Sequence, residues 1–199
     1  MAVLFLVETA AGKVKKASFE IASYAAKVAS QLGTEAIGLA LGTASADELS
    51  ALGIYGAKKI VHANNAAFDT FDAGATAKAI ADAADKTGAT VVAISQTLTG
   101  KAVAPIISAR LKAGLVSGAV SLPDASFVVK KTAFSGKAFA YVKVETATKV
   151  VAIVPNSFGA TKGDGSAAVE ASSVAPAASR VTVKEVSRQA GDIAPLPEA

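Results

Sequence analysis

The stretch Val91-Val92-Ala93-Ile94-Ser95-Gln96-Thr97-Leu98-Thr99-Gly100-Lys101-Ala102, running on to Gly114, decides how this chain is read. It opens with apolar, strand-favouring residues without alternation, the pattern of a strand buried on both faces of a parallel sheet. A polar turn follows, then a helix over residues 102–112 with Pro105 in its first turn and Gly114 as its stop. The same hand-off from buried strand to helix recurs upstream. Residues 3–7 (VLFLV) form another continuous apolar run, and Ile21, Tyr24, Ala25, Val28 and Leu32 then fall on one helical stripe ending at Gly33. Residues 36–41 read as a strand, residues 46–52 as a short helix stopped by Gly53, and residues 59–62 as a third strand. Asp69 or Thr70 caps a helix that runs through Lys86 to Gly88. Four alternations of this kind predict an α/β fold, a doubly wound and mostly parallel sheet with helices on both faces.

Beyond Gly114 the period changes. Residues 115–122, 127–134, 137–144 and 150–154 are strand-like, with Ser135 and Gly136 turning a tight hairpin between the middle two. The expectation is that this half adds antiparallel strands to the doubly wound half. The domain therefore covers residues 1–160. Residues 161–180, rich in Gly, Ser and Ala, read as a linker or exposed loop, and residues 181–199 as a final strand over 181–186 and then a connector.

Composition removes several functions. The chain has 199 residues, 52% of them hydrophobic, a mean hydropathy of +0.45, no cysteine and one histidine. Thiolate metal sites, disulfides, cysteine nucleophiles and multi-histidine centres are excluded. The net charge of +4 raises the question of nucleic acid, but the arginines are only Arg110, Arg180 and Arg188, aromatics are 6%, and the lysines are scattered, so no nucleic-acid binding is expected. The apolar opening meets Glu8 too early for a secretion signal, and no run reaches the ~18 to 20 apolar residues of a membrane span. A cytoplasmic protein without membrane insertion is expected.

Three turns at strand ends are candidate sites, since a doubly wound sheet binds ligands beyond the carboxyl ends of its strands. The turn over residues 8–16 lacks the Gly-x-Gly-x-x-Gly pattern of a dinucleotide fold, and residues 42–45 form a short polar connection. The third, with Gln96, Thr97, Thr99, Gly100 and Lys101, has Gly-Lys at a helix start but no preceding glycine, and Ala102 stands where a P-loop needs Ser or Thr. It reads as a plain helix-entry loop in preference to a working phosphate site, with Lys101 the residue to watch. His62 has no Gly-x-Ser-x-Gly partner and reads as structural, while Glu8 is placed to meet a ligand or partner, cap the next helix, or pair with Lys15 or Lys16. No catalytic residue and no metal site is assigned.

Ordered blocks then carry a resemblance. Residues 3–8 with Gly12, Lys13 and Ser18-Phe19-Glu20, then Gly56-Ala57-Lys58-Lys59-Ile60, lead to the most specific: Thr99-Gly100-Lys101, Ala104-Pro105, Ala109-Arg110-Leu111 and Ala113-Gly114-Leu115-Val116-Ser117. With Phe134-Ser135-Gly136-Lys137-Ala138 and Pro155-Asn156-Ser157-Phe158, the chain resembles the N-terminal domain of an electron transfer flavoprotein alpha subunit over about residues 1–190. Ile106, Gly118 and Val154 depart from charged residues common in that family. The resemblance implies an adenine-nucleotide-alpha-hydrolase-like fold and a heterodimer with a beta subunit. It further implies an electron carrier, not an enzyme in its own right, shuttling electrons from acyl-CoA dehydrogenases of fatty acid β-oxidation and other flavin dehydrogenases to a quinone oxidoreductase. It implies FAD held by a C-terminal domain that this chain lacks, AMP in the beta subunit, and no cofactor here. The alternative reading of the same pattern is a free-standing adenine-nucleotide module of the universal-stress-protein kind. The apolar composition of the second half predicts a surface meant for a partner.

Overall fold

A computed structural model describes residues 1–179 and 181–185. In chain order its elements are β1 Ala2–Val7, the small ribbon β2 Thr9–Ala10 and β3 Lys13–Val14, α1 Lys16–Gln31, β4 Glu35–Leu41, and α2 Ala46–Ser50 continuing as a 3-10 turn over Ala51–Tyr55. Then come β5 Lys59–Ala63, α3 Ala73–Thr87, β6 Ala89–Ser95, α4 Leu98–Leu111, β7 Gly114–Ala119, β8 Val128–Ala133, β9 Ala138–Lys143, β10 Lys149–Ile153 and β11 Ala168–Ala171. Nine strands form one sheet in the order β11-β5-β4-β1-β6-β10-β7-β8-β9. Its neighbours from β11 through β7 run parallel, and the last two pairs, β7–β8 and β8–β9, are antiparallel.

The two-residue period of a strand sorts the core into two layers. Val3, Phe5 and Val7 of β1 face a layer with Ile21, Tyr24 and Val28 of α1 and Leu49 of α2. Ala2, Leu4 and Leu6 face the other, with Ala77, Ile80 and Ala84 of α3 and Val103, Ala104 and Ile107 of α4. Helices thus cover both faces of a doubly wound sheet of the adenine-nucleotide-alpha-hydrolase kind. Because the chain leaves β1 toward β4 and β5 and returns on its other side at β6, the strand order reverses between β1 and β6. That reversal opens a crevice at their carboxyl ends.

Several boundaries differ from the sequence reading. Residues 150–153, in the run 150–154 expected among antiparallel strands, belong to the parallel strand β10 at the heart of the sheet, with Val150, Val151, Ala152 and Ile153 all buried. The fourth helix starts at Leu98 with Thr97 as its cap, not at Ala102, so Pro105 lies in its interior, on an exposed face. α3 is capped by Asp72, whose carboxylate accepts from the Ala75 amide at 2.7 Å; Asp69 instead holds the Thr43 amide and hydroxyl at 2.7 and 2.6 Å, and Thr70 caps nothing.

Gly53 is not a helix stop. A Cβ there would lie 2.1 Å from the Ser166 carbonyl carbon, so the glycine admits the backbone that leads into β11, and the turn ends at Gly56 with φ +94°. The stretch expected as a linker or exposed loop accordingly contains a strand: Ala168–Ala171 pairs with β5 as the sheet's edge strand. Residues 181–185 carry no strand, and residues 186–199, with the expected connector, lie outside the described residues.

Candidate functional site

At the end of β1, Glu8 turns its carboxylate toward the start of α4 across the crevice. Thr97 Oγ donates to Glu8 Oε1 at 2.6 Å while accepting from the Gly100 amide at 3.1 Å, so one hydroxyl both caps the helix and holds the glutamate. The Glu8 backbone is fixed in turn: its N–H donates to Ser18 Oγ at 2.8 Å and its carbonyl accepts from the same hydroxyl at 3.0 Å. Glu8 is only 7% exposed. Burial pushes its carboxyl above the ordinary glutamate value of 4.5, against the opposing Thr97 hydrogen bond and the Lys15 charge. Lys15 Nζ stands 3.8 Å from Oε2, an ion pair beyond hydrogen-bond reach, and Oε2 has no hydrogen-bond partner among the described residues.

The predicted loop residues separate here. Thr97 is the cap described above, and Thr99 lines a cleft of about 170 Å³ with Glu8, Thr9, Lys15, Phe68 and Asp69. Gly100 is buried against the strand it follows: a Cβ would lie 1.9 Å from the Ser95 carbonyl oxygen. Gln96 points the other way, its Nε2 donating to Ser117 Oγ of β7 at 3.1 Å and its amide to the Ile153 carbonyl of β10 at 2.6 Å. Lys101 is exposed. His62 is buried with Nε2 donating to the Gly42 carbonyl at 2.8 Å, a structural bond.

A second glutamate, not singled out from the sequence, closes the neighbouring strand end. Glu20 of α1 is 5% exposed and accepts three backbone amides from the turn after β10: Asn156 at 2.7 Å, Phe158 at 2.8 Å and Gly159 at 3.0 Å. Ser23, one turn on, accepts from the Thr161 amide at 3.0 Å and donates to its carbonyl at 3.3 Å. Tyr24 donates to the Ser121 carbonyl at 3.2 Å and meets the Phe158 ring edge-on at 5.4 Å; burial lifts its phenol far above the ordinary value. The sequence does show Glu20 beside Ile21, at the margin of the buried stripe of α1.

Together these side chains decide what this edge of the sheet accepts. Convergent backbone amides and a helix N-terminus are the ordinary sites for phosphate in such folds. Here Glu20 fills the amide cluster and Glu8 stands at the cap of α4. A pyrophosphate brought to either place would meet a carboxylate, and the 170 Å³ cleft is smaller than the ~300–1,000 Å³ of ordinary ligand pockets. The residues present therefore do not suit a flavin or adenine dinucleotide at this edge.

Comparison with known proteins agrees with this architecture. Residues 3–179 match the family model described as the electron transfer flavoprotein domain. The chain is 29% identical over 202 residues to the electron transfer flavoprotein subunit alpha of Bacillus subtilis (strain 168), covering 99% of this chain and 61% of that protein. It is 25% identical over 159 residues to Protein FixB of Clostridium saccharobutylicum, covering 77% of this chain and 47% of that protein. It is 29% identical over 111 residues to the acryloyl-CoA reductase electron transfer subunit beta of Anaerotignum propionicum, covering 56% of this chain and 30% of that protein. The chain thus spans between about a third and three fifths of these relatives' lengths. With a family match that takes in β1 through β11 and the whole crevice between them, the chain belongs to the electron transfer flavoprotein family.

Proposed function

We propose that this chain is the N-terminal scaffold of an electron transfer flavoprotein alpha subunit. It forms a rigid α/β body that positions the redox part of the complex and holds no cofactor of its own. The observation that carries the reading is the pair of glutamates. Where a nucleotide-binding relative of this fold would offer free amides, Glu20 accepts the amide cluster after β10, and Glu8, bonded to the Thr97 hydroxyl that caps α4, stands beside the helix start. FAD would then be bound outside these residues and AMP by the beta subunit. The complex, cytoplasmic on this reading, would carry electrons from acyl-CoA and other flavin dehydrogenases to a quinone oxidoreductase. Among the described residues no helix is long and apolar enough to cross a membrane.

The test is direct. The purified 199-residue chain is expected to lose all flavin absorbance on gel filtration after incubation with FAD, and to give no calorimetric heat with AMP or ATP at millimolar concentration. Stoichiometric flavin, or saturable nucleotide heat, would sink the scaffold reading, and the latter would favour a free-standing nucleotide module.

A further inference from the structure

Two carboxylates, Glu8 and Asp69, line the 170 Å³ cleft at the strand reversal. Asp69 is fully engaged within the chain, one oxygen accepting from the Thr43 amide and the other from the Thr43 hydroxyl. Glu8 is only half engaged. Its side chain is 6% exposed and Oε1 accepts from Thr97, while Oε2, equally buried, accepts no hydrogen bond among the described residues. A carboxylate oxygen held out of water without a donor is destabilising, and it calls for a donor from outside the chain.

The surrounding charges narrow that donor. Lys15 Nζ, on a side chain 46% exposed, stands 3.8 Å from Oε2, near enough to oppose a bare cation and too far to make the bond itself. The Lys15 amide donates to the Glu8 carbonyl at 2.9 Å, so the ammonium can swing outward while its root stays in place. Across the cleft, Thr99 lies in the first turn of α4, where backbone amides lack an intrahelical acceptor and favour negative charge. One unfilled acceptor thus faces a cation and a helix start that both favour an anion. A bare anion would meet Glu8, and a bare cation would meet Lys15. A ligand with both charges close together meets neither conflict. Leu6, Leu41, Phe68 and Phe71 add apolar walls. The volume of about 170 Å³ equals on the order of six waters at ~30 Å³ each, room for a small aliphatic molecule and not for a nucleotide.

We propose that this cleft binds a small zwitterion of the α-amino-acid class, its ammonium donating to Glu8 Oε2, its carboxylate held by Lys15 and the first turn of α4, and its aliphatic side chain against Phe68 and Phe71. Lys15 moves outward to admit the head group, and the loose pair between Glu8 and Lys15 gives way to two close ones. Burial holds the Glu8 carboxyl above the ordinary value, and an ammonium beside it favours the charged form. A site of this size and charge goes beyond the scaffold reading and does not depend on it, because it uses no group of a flavin or a nucleotide.

The experiment titrates the 199-residue chain with L-valine, read by calorimetry and by amide shifts in NMR. Saturable binding is expected at millimolar concentration, with the largest shifts at the amides of Thr9, Leu98 and Thr99. Acetate and ethylamine, each carrying one of the two charges, are expected to bind at least about 10-fold more weakly, as is glycine betaine, whose quaternary nitrogen has no proton to donate. Glu8→Gln should weaken valine at least about 10-fold and Lys15→Met about 5-fold, with urea melts confirming that each variant folds. Lys27→Met, exposed about three turns further along α1, should stay within about twofold. Neither heat nor shifts with valine up to about 10 mM would assign Oε2 to a bound water and overturn the proposal, and would leave the scaffold reading standing. Acetate or ethylamine binding as tightly as valine would make the cleft a plain ion site and overturn it. Betaine binding as tightly as valine, or a folded Glu8→Gln or Lys15→Met chain that binds valine within about twofold of wild type, would overturn it as well. If a variant fails to fold, the four ligands compared on the wild-type chain decide the matter alone.

Discussion

Replacing Glu20 isolates the clamp between α1 and the turn after β10. Its carboxylate accepts three amide hydrogen bonds at 2.7, 2.8 and 3.0 Å from Asn156, Phe158 and Gly159. Hydrogen bonds to a charged group contribute about 1.5–3 kcal/mol each in net terms. Three would sum to at least about 4.5 kcal/mol if independent, but Asn156 and Gly159 are exposed residues whose amides can turn to water. The expected loss for Glu20→Ala is therefore about 2–4 kcal/mol. Glu20→Gln is the sharper probe because it leaves no cavity. It retains one acceptor oxygen and presents an NH₂ group to amides that are themselves donors, so it is expected to lose about 2–3 kcal/mol. At about 2–4 °C per kcal/mol for a chain of this size, the melting midpoint falls by roughly 4–12 °C. Urea denaturation would show a lower midpoint at unchanged slope, and hydrogen exchange would show faster exchange at the amides of residues 156, 158 and 159. A Glu20→Gln variant within about 0.5 kcal/mol of wild type, with exchange at those amides unchanged, would refute the claim that the carboxylate organises this turn.

Three further outcomes are expected. Glu8 has its carboxyl raised by burial, so the folded state holds a proton that the unfolded chain releases earlier; stability is full below the ordinary value of 4.5 and declines as pH rises through the raised one. Relative to Glu8→Gln, which does not titrate, wild type should lose stability as pH rises above about 4.5, and a pH-independent difference in urea midpoints would contradict it. Gly100→Ala gains about 1 kcal/mol of helix propensity but drives a Cβ to 1.9 Å from the Ser95 carbonyl oxygen, so a net loss of about 2–4 kcal/mol is expected, and a stabilised variant would show that α4 can lift off the sheet freely. Tyr24→Phe removes the bond to the Ser121 carbonyl and should cost about 1–1.5 kcal/mol in chemical denaturation, with no change if that carbonyl finds water instead.

The doubly wound half was legible because its strands are unbroken apolar runs and its helices carry one stripe, as residues 3–7 and the series from Ile21 to Leu32 do. β10 carries the same signal, with Val150, Val151, Ala152 and Ile153 all buried, whereas β9 alternates half-buried and exposed positions. The place of β10 after the hairpin points to an antiparallel strand, while its own unbroken apolar pattern points to a parallel one. At α4 two start signals compete, the proline preference for a first turn and the Thr97 cap with Gly100 three residues on; the cap prevails, and Pro105 gives up a bond to the Lys101 carbonyl on an exposed face. β11 could not be seen at all. Its pattern is mostly exposed, and what selects it is the space above Gly53, a tertiary fact.

The candidate site was illegible for the same kind of reason. Glu8 lies 89 residues from Thr97, and Glu20 lies 136 to 139 residues from the amides it accepts. The sequence marks each partner by a local signal, a helix cap or a turn, and says nothing of which carboxylate will arrive there. Read locally, Gln96 to Lys101 keeps features of a phosphate loop: a strand before it, a helix after it, a glycine and a lysine. What changes its meaning is the residue facing it across the strand reversal. A helix N-terminus favours a nearby anion, and here the carboxyl of Glu8, bonded to the capping Thr97 hydroxyl, stands beside it. The same holds at β10, where Glu20 satisfies three amides that an anionic ligand would otherwise need to satisfy. Two carboxylates that reach their partners only through the fold thus set the chemistry of this edge, which no local stretch of sequence spells out.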